Sequence, residues 1–389
     1  GRIGFSVRRT FTRLEAGRTW EVQIVFGEGS PVEPARRYRA WLKASGRFVS
    51  MADKIAATPS AERLVGALHA YLWGIPLQLE DVKDWKGFMR RLGELPSSAP
   101  DSPAGKLWAR LPGSGRKAVQ DLLASEWKDE YSKSEVTRAF AELLKLGVVI
   151  PAGLEEVFPG QLAAPASWGG AISSAFLTEL AASGVDRACL TLNDLTAGIS
   201  RPGVARTASE LGYLYGPYDD YHGVHDPKAR DTWETSQFDA ALFASGGVVD
   251  ENGKPRPGFQ QQGHHLNAAA ARPYVERRVR DMMAKVPYTA WFVDCDGAGQ
   301  YFDDYSPVHP ASQAQDCAAR IDRLKWITTT FGLPIGTEGG SAPAAGAIFF
   351  AHGMISGAIG WADKDHSDKR SKWWLGTYWP PEEPSYFFR

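Results

Sequence analysis

Apolar and polar positions change period several times along this chain. From Trp20 to Phe26 the apolar residues Trp20, Val22, Ile24 and Phe26 recur at every second place, the period of a half-buried strand. Residues 1–27 therefore read as strands, the tail of a β domain. Pro34 then opens a helix over Ala35–Lys43 with Tyr38, Trp41 and Leu42 on one face, a strut between domains. Leu64–Trp73 is the first long apolar run and the expected first barrel strand. Residues 75–160 switch to helical spacing, around Trp85, Phe88, Met89 and Leu92 and again around Val119, Leu122 and Leu123. A third helix is expected over Glu135–Leu146, with a Ser132/Glu135 capping box, an apolar face of Val136, Phe140, Leu143 and Leu144, and Gly147 as its stop.

From about residue 165 a βα rhythm takes over. A helix near Ile172–Ala182 leads to strands at Arg187–Asn193 and Leu211–Tyr215. A helix at Ala268–Lys285, a strand at Tyr288–Asp294, a helix at Gln313–Thr330 and a strand at Leu333–Thr337 follow. Asp250–Lys254 reads as a hairpin tip in the long excursion before Asp294. This alternation predicts an α/β fold: a (β/α)₈ TIM-type barrel over 61–389, a connector at 31–60, and a helical insertion after the first strand at about 75–160. Five or six strands are legible, and the last ones are not.

Bulk properties narrow the function. With 389 residues and a net charge of -1, the chain lacks the basic footprint of a nucleic-acid binder. No apolar run approaches the ~20 residues that span a bilayer. Fourteen Trp, 13 Tyr and 18 Phe suit sugar rings, although aromatics also fill cores. Cys189, Cys295 and Cys317 match no metal-ligand spacing. The chain starts at Gly1, which leaves a removed or omitted leader equally open, and localisation is not legible directly.

The chemistry gathers where apolar runs end. Asp294 closes Trp291–Asp294, and Glu338 follows Leu333–Thr337, each trailed by glycine. In a barrel those are carboxyl ends of strands, where catalytic groups sit. Two such carboxylates can flank a glycosidic bond, one attacking and one donating a proton. Asp296 is a rival nucleophile and otherwise a subsite residue. In Tyr218–Asp226, Asp219 or Asp220 could accept from sugar hydroxyls and Tyr218 or Tyr221 could stack; His222, His225 and Asp226 could instead bind a metal, or the stretch could be a solvated turn. Tyr301–Pro307 is an Asp-rich loop that would shape the rim, cap a helix or hold a structural Ca²⁺, no other cofactor being required. His69 near the first strand's end and Asp363 after another apolar stretch complete the substrate-binding candidates. Walker, nucleophile-elbow and zincin motifs are missing.

These residues resemble glycoside hydrolase family 129 and its relative family 101, the α-N-acetylgalactosaminidases of mucin O-glycans. The likeness begins at Pro34–Leu42, peaks in Phe292-Val293-Asp294, in Asp303–Pro307 with His309-Pro310, and in Gly336-Thr337-Glu338-Gly339, and covers most of 30–385 outside the insertion. It implies Asp294 as nucleophile, Glu338 as acid/base and retained anomeric configuration. It also implies an upstream β-sandwich of which residues 1–30 are the remnant, a glycan substrate, and by that substrate class a secreted or periplasmic protein. The chain departs from the pattern in Asp296 and in the insertion. A different sugar, such as an α-galactoside, a carbohydrate-binding barrel without catalysis, and a metal-dependent hydrolase are the other readings.

Overall fold

The short apolar runs pair as parallel strands. The computed structural model describes residues 11–352, apart from 16, 23, 28, 112, 125–126, 146–150, 194, 196 and 230–231, together with 368 and 370–372. Its strands are β1 (Leu68–Leu72), β2 (Ala188–Leu192), β3 (Leu214–Asp220), β4 (Gly223–Val224), β5 (His264–His265), β6 (Trp291–Asp294), β7 (Ile335–Thr337) and β8 (Phe350–Ala351). Six of them form one sheet in the order β1-β2-β3-β6-β7-β8, every neighbouring pair parallel. Helices separate most of these strands, as parallel connections require.

The sheet is strongly curled. Flat, it would hold its two edge strands about 24 Å apart at ~4.8 Å per step. Instead His69 on β1 touches Phe350 on β8, ring centroids 5.0 Å apart. The concave side is filled by His69, Tyr71, Tyr218, Phe292, Phe350 and His352, whose rings contact one another. The convex side packs against helices through Leu190, Leu192, Tyr213, Tyr215, Trp291, Val293 and Ile335. Each such buried side chain contributes about 1.5–3 kcal/mol. The described residues thus form a half-barrel.

Helix ends follow local chemistry. The helix Gln313–Phe331 starts with a Ser312/Gln315 capping box and stops at Gly332, φ 68°. Residues 75–168 carry helices with a core of their own, built on Leu77, Phe88, Leu92, Val119, Phe140, Phe158 and Trp168. The helix there spans Glu130–Lys145, starting earlier than its capping box implied. Asp129 Oδ1 accepts from the Ser132 amide and the Asp129 amide donates to Ser132 Oγ, so Asp129 is the cap; Gly147 lies outside the described residues. The turn expected at Asp250–Lys254 forms, the Asp250 amide donating to the Lys254 carbonyl.

Two expectations are corrected. The described part of 11–27 contains no strand, and Trp20, Val22, Ile24 and Phe26 are exposed. Alternation sets which face is apolar, but a strand also needs a partner for its N–H and C=O groups, and none of the described residues supplies one. Strand β3 runs to Asp220 instead of ending at Tyr215, so Tyr218, Asp219 and Asp220 belong to the sheet and not to a loop. Gly216 is there for close approach: a Cβ would lie 2.0 Å from the Ala290 carbonyl oxygen. Among the described residues no helix is long and apolar enough to cross a membrane.

Gly216→Ala should therefore force β3 away from the chain entering β6 and destabilise the protein by about 1–3 kcal/mol. A thermal melt indistinguishable from the parent's would show that this contact does not constrain the sheet.

Candidate active site

Period two on parallel strands decides which side chains meet. Phe292 and Tyr218 pair in register and face the concave side, so Asp294 and Asp220, two residues on and also paired, face it at the strand ends. Gly336 pairs with Phe292, which places Glu338 at the same height on the neighbouring strand. Tyr71, Tyr218, Asp220, Asp294 and Glu338 thus share the carboxyl edge of the half-barrel. Trp73 follows two residues beyond Tyr71 and is 59% exposed.

The turns after β6 and β7 pack directly together. A Cβ on Gly297 would meet Thr337 Oγ1 at 2.3 Å and the Gly339 carbonyl at 2.7 Å. That close approach puts Asp294 and Glu338 side by side, with Cys295 between them. Its Sγ lies 3.3 Å from Asp294 Oδ1 and 3.4 Å from Glu338 Oε2, so its single S–H is within reach of either carboxylate. Ligating atoms of the three residues all lie within 4.8 Å of one another, and each residue is half-buried. Carboxyl groups this near fit the ~5–5.5 Å of retaining glycosidases better than the ~6.5–9.5 Å of inverting ones. Tyr218 donates its hydroxyl to Asp294.

The remaining candidates divide sharply. Asp220 stands beside Asp294, accepting from the His222 amide at 2.7 Å and from Ser236 Oγ at 2.9 Å. Asp219, next in sequence, points the opposite way and is an ion-pair residue instead of a substrate contact. It is fully buried against Arg278 at 2.9 Å. Asp296 is likewise withdrawn, fully buried with Arg323 at 2.7 Å. His69 lies one layer below the mouth; its Nε2 meets Thr191 Oγ1 at 3.0 Å, and burial, then His352, lowers its pKa to about 4. Asp363 lies outside the described residues.

His222, His225 and Asp226 do not converge. His222 Nδ1 accepts from Arg320, and His225 Nδ1 contacts Thr232 Oγ1. Among the described residues, the potential ligating atoms that do converge are those of Asp294, Cys295 and Glu338. In the Asp-rich loop, Asp303 accepts from the Gln313 amide and Nε2, at the first residue of the helix that Ser312 caps. Asp304 is filled by protein donors: the Val249 and Ser306 amides, Asn267 Nδ2 and His309 Nδ1. Tyr71 and Cys295 were missed by the sequence reading. Tyr71 was legible by strand parity from His69, Cys295 only by adjacency to Asp294.

Electrostatics mark the same cluster. Burial first, then the charge of Glu338, raises the Asp294 pKa to about 8, while Tyr218 and Cys295 pull it down by donating. Burial and then Asp294 raise Asp220 to about 7. Burial also pushes Tyr71 and the Cys295 thiol up, with Asp294 and Glu338 adding to it, so both stay neutral donors. Unfolded Asp titrates at 3.8, so folding holds these protons to higher pH, and stability falls as pH rises from about 4 to about 8. Asp294→Asn should match the parent near pH 4 and become progressively more stable than it towards pH 8, by up to about 1.4 kcal/mol per pH unit. Parallel stability curves in urea titrations at the two pH values would contradict the shift.

Solved structures of similar fold agree with this architecture. Alpha-N-acetylgalactosaminidase NagBb from Bifidobacterium bifidum, as its GalNAc complex, matches with a TM-score of 0.52 and 15% identity over 87% of this chain and 44% of that one. Its Gal-NHAc-DNJ complex matches with 0.51 and 15%, over 84% and 42%. At this identity the likeness is one of fold, and the chain spans less than half the length of that relative. No curated protein sequence matches the chain. The profile described as glycosyl hydrolases related to the GH101 family, GH129, matches residues 179–389, more than half of the chain and the whole span from β2 onward that carries Asp220, Asp294 and Glu338. The chain belongs to glycoside hydrolase family 129.

Proposed function

We propose that this chain carries the catalytic centre of a retaining glycoside hydrolase acting on α-N-acetylgalactosaminides of O-glycans. Asp294 is the nucleophile and Glu338 the acid/base. The observation that carries the reading is the half-buried Asp294–Glu338 pair on adjacent strand ends, ligating oxygens within 4.8 Å. Family membership and the fold shared with an α-N-acetylgalactosaminidase support the substrate class. In the same reading the half-barrel belongs to a full (β/α)₈ barrel within 61–389, with a β-sandwich before it.

The two roles follow from reach and hydrogen bonding. Asp294 is short, rigid at a strand end and held by Tyr218 and Cys295, donors that favour its ionised form. Glu338 has one more methylene to reach the leaving oxygen. The pair keeps one proton between two carboxyl groups. On substrate binding that proton resides on Glu338, and Asp294 attacks the anomeric carbon. Glu338 gives its proton to the glycosidic oxygen as the C–O bond breaks, leaving a glycosyl ester on Asp294. Glu338 then takes a proton from water, whose oxygen attacks the same carbon and frees Asp294. Two inversions give retention. Asp220 receives sugar hydroxyls beside the nucleophile, and the exposed Trp73 offers its face to the apolar side of a sugar ring.

Turnover of an aryl α-N-acetylgalactosaminide beside the aryl α-galactoside tests this. The first should be cleaved faster. Asp294→Asn should abolish turnover, and Glu338→Gln should slow it by about 10²–10⁴-fold, least for the best leaving groups. The kcat/KM profile should fall as pH rises through about 8, where free Asp294 gives up its proton and the pair loses its acid. Faster cleavage of the galactoside would move the assignment to an α-galactosidase. Cleavage of neither by the folded protein, or an active Asp294→Asn, would overturn it.

A further inference from the structure

The turn after β6 is anchored from behind by buried charge. Arg323, on the helix Gln313–Phe331, forks onto Asp296, Nε to Oδ2 at 2.9 Å and Nη2 to Oδ1 at 2.7 Å. Arg320, one turn earlier, stands 3.6 Å from the same carboxylate and 3.0 Å from Asp316. It also donates to His222 Nδ1, two residues past Asp220. Both guanidinium side chains and the Asp296 carboxylate are fully buried. Planar two-point bonding of this kind fixes direction as well as distance.

What that anchor holds is an unusual backbone. The Asp296 amide reaches back to the Asp294 carbonyl at 2.6 Å, and Cys295 sits at the apex with φ 55°. A non-glycine residue there is strained and persists only when its surroundings enforce it. From this conformation the Cys295 thiol faces both carboxylates. With the turn relaxed to negative φ, Sγ would swing out of the gap.

We propose that the Asp296–Arg323 pair is a positioning device for the catalytic carboxylates: it holds Cys295 in the left-handed conformation that keeps the thiol within hydrogen-bond reach of both Asp294 and Glu338. This rests on the glycosidase reading of the same site. Neither Asp296 nor Arg323 touches substrate. Their contribution passes through the thiol, which sets the spacing of the two carboxylates and favours the ionised nucleophile.

Cys295→Gly tests the thiol without threatening the fold, since glycine accepts positive φ without strain. It should melt at or above the parent temperature, lose about 10–100-fold in kcat with KM changed by less than about threefold, and move the alkaline limb of kcat/KM to higher pH. Cys295→Ser, which keeps a donor, should recover most of the loss. Arg323→Lys keeps the charge but not the fork and should shift kcat and the limb in the same direction, as should Asp296→Asn. Infrared titration of the protonated carboxyl C=O band reads the same displacement without turnover. Parent-like kcat and limb in Cys295→Gly would overturn the role of the thiol. Unmoved Arg323→Lys and Asp296→Asn profiles would overturn that of the clamp. A parent inactive on every glycoside would remove the glycosidase reading, while an unchanged infrared titration in Cys295→Gly would separately overturn the positioning claim.

Discussion

Asp294, buried and with a ligating oxygen within 4.8 Å of one on Glu338, resists ionising at neutral pH. Burial disfavours its charge, and the neighbouring Glu338 charge disfavours it further. Asp294 is accordingly held protonated up to about 8, and Asp220 beside it up to about 7. The sheet supplies the confinement. Parallel register sets Asp220 opposite Asp294, and the turns after β6 and β7 interlock through Gly297, Thr337 and Gly339. The strain in Cys295 and the buried arginines behind it belong to the same arrangement.

The acidic residues around the site fall into two groups with opposite physics. Asp219, Asp296 and Asp316 pair with Arg278, Arg323 and Arg320, and Asp304 accepts from Asn267 and His309. They fasten loops and helices to the sheet. Asp220, Asp294 and Glu338 receive neutral donors and no cation among the bonds described. Left without a countercharge, they remain able to exchange protons and to meet a substrate whose transition state is positive. The division separates structural from reactive carboxylates more cleanly than burial does, because Asp219 and Asp220 are both buried.

Much of this was legible in the sequence. The βα rhythm gave the parallel sheet, the insertion and the two strand ends with Asp294 and Glu338. Adjacent carboxylates were harder. Asp219 and Asp220 look alike in sequence, and only strand parity, hidden because the strand was expected to end at Tyr215, sends one inward and the other to Arg278. Asp296 would share Asp294's side if the strand continued, but the left-handed Cys295 turns the chain and sends it to the helix layer. Its partner lies 27 residues on, beyond the reach of any local pattern. The alternation at Trp20–Phe26 misled because pairing partners are not encoded in period.

The central claim is that Asp294 attacks the sugar. Trapping the intermediate with an activated fluorinated α-N-acetylgalactosaminide, followed by peptide mass mapping, reads that atom directly. The account predicts one glycosyl unit, esterified to Asp294 and displaced on standing as activity returns. A label on Glu338, Asp220 or Asp296, or steady turnover with inverted configuration and no trapped ester, would contradict it.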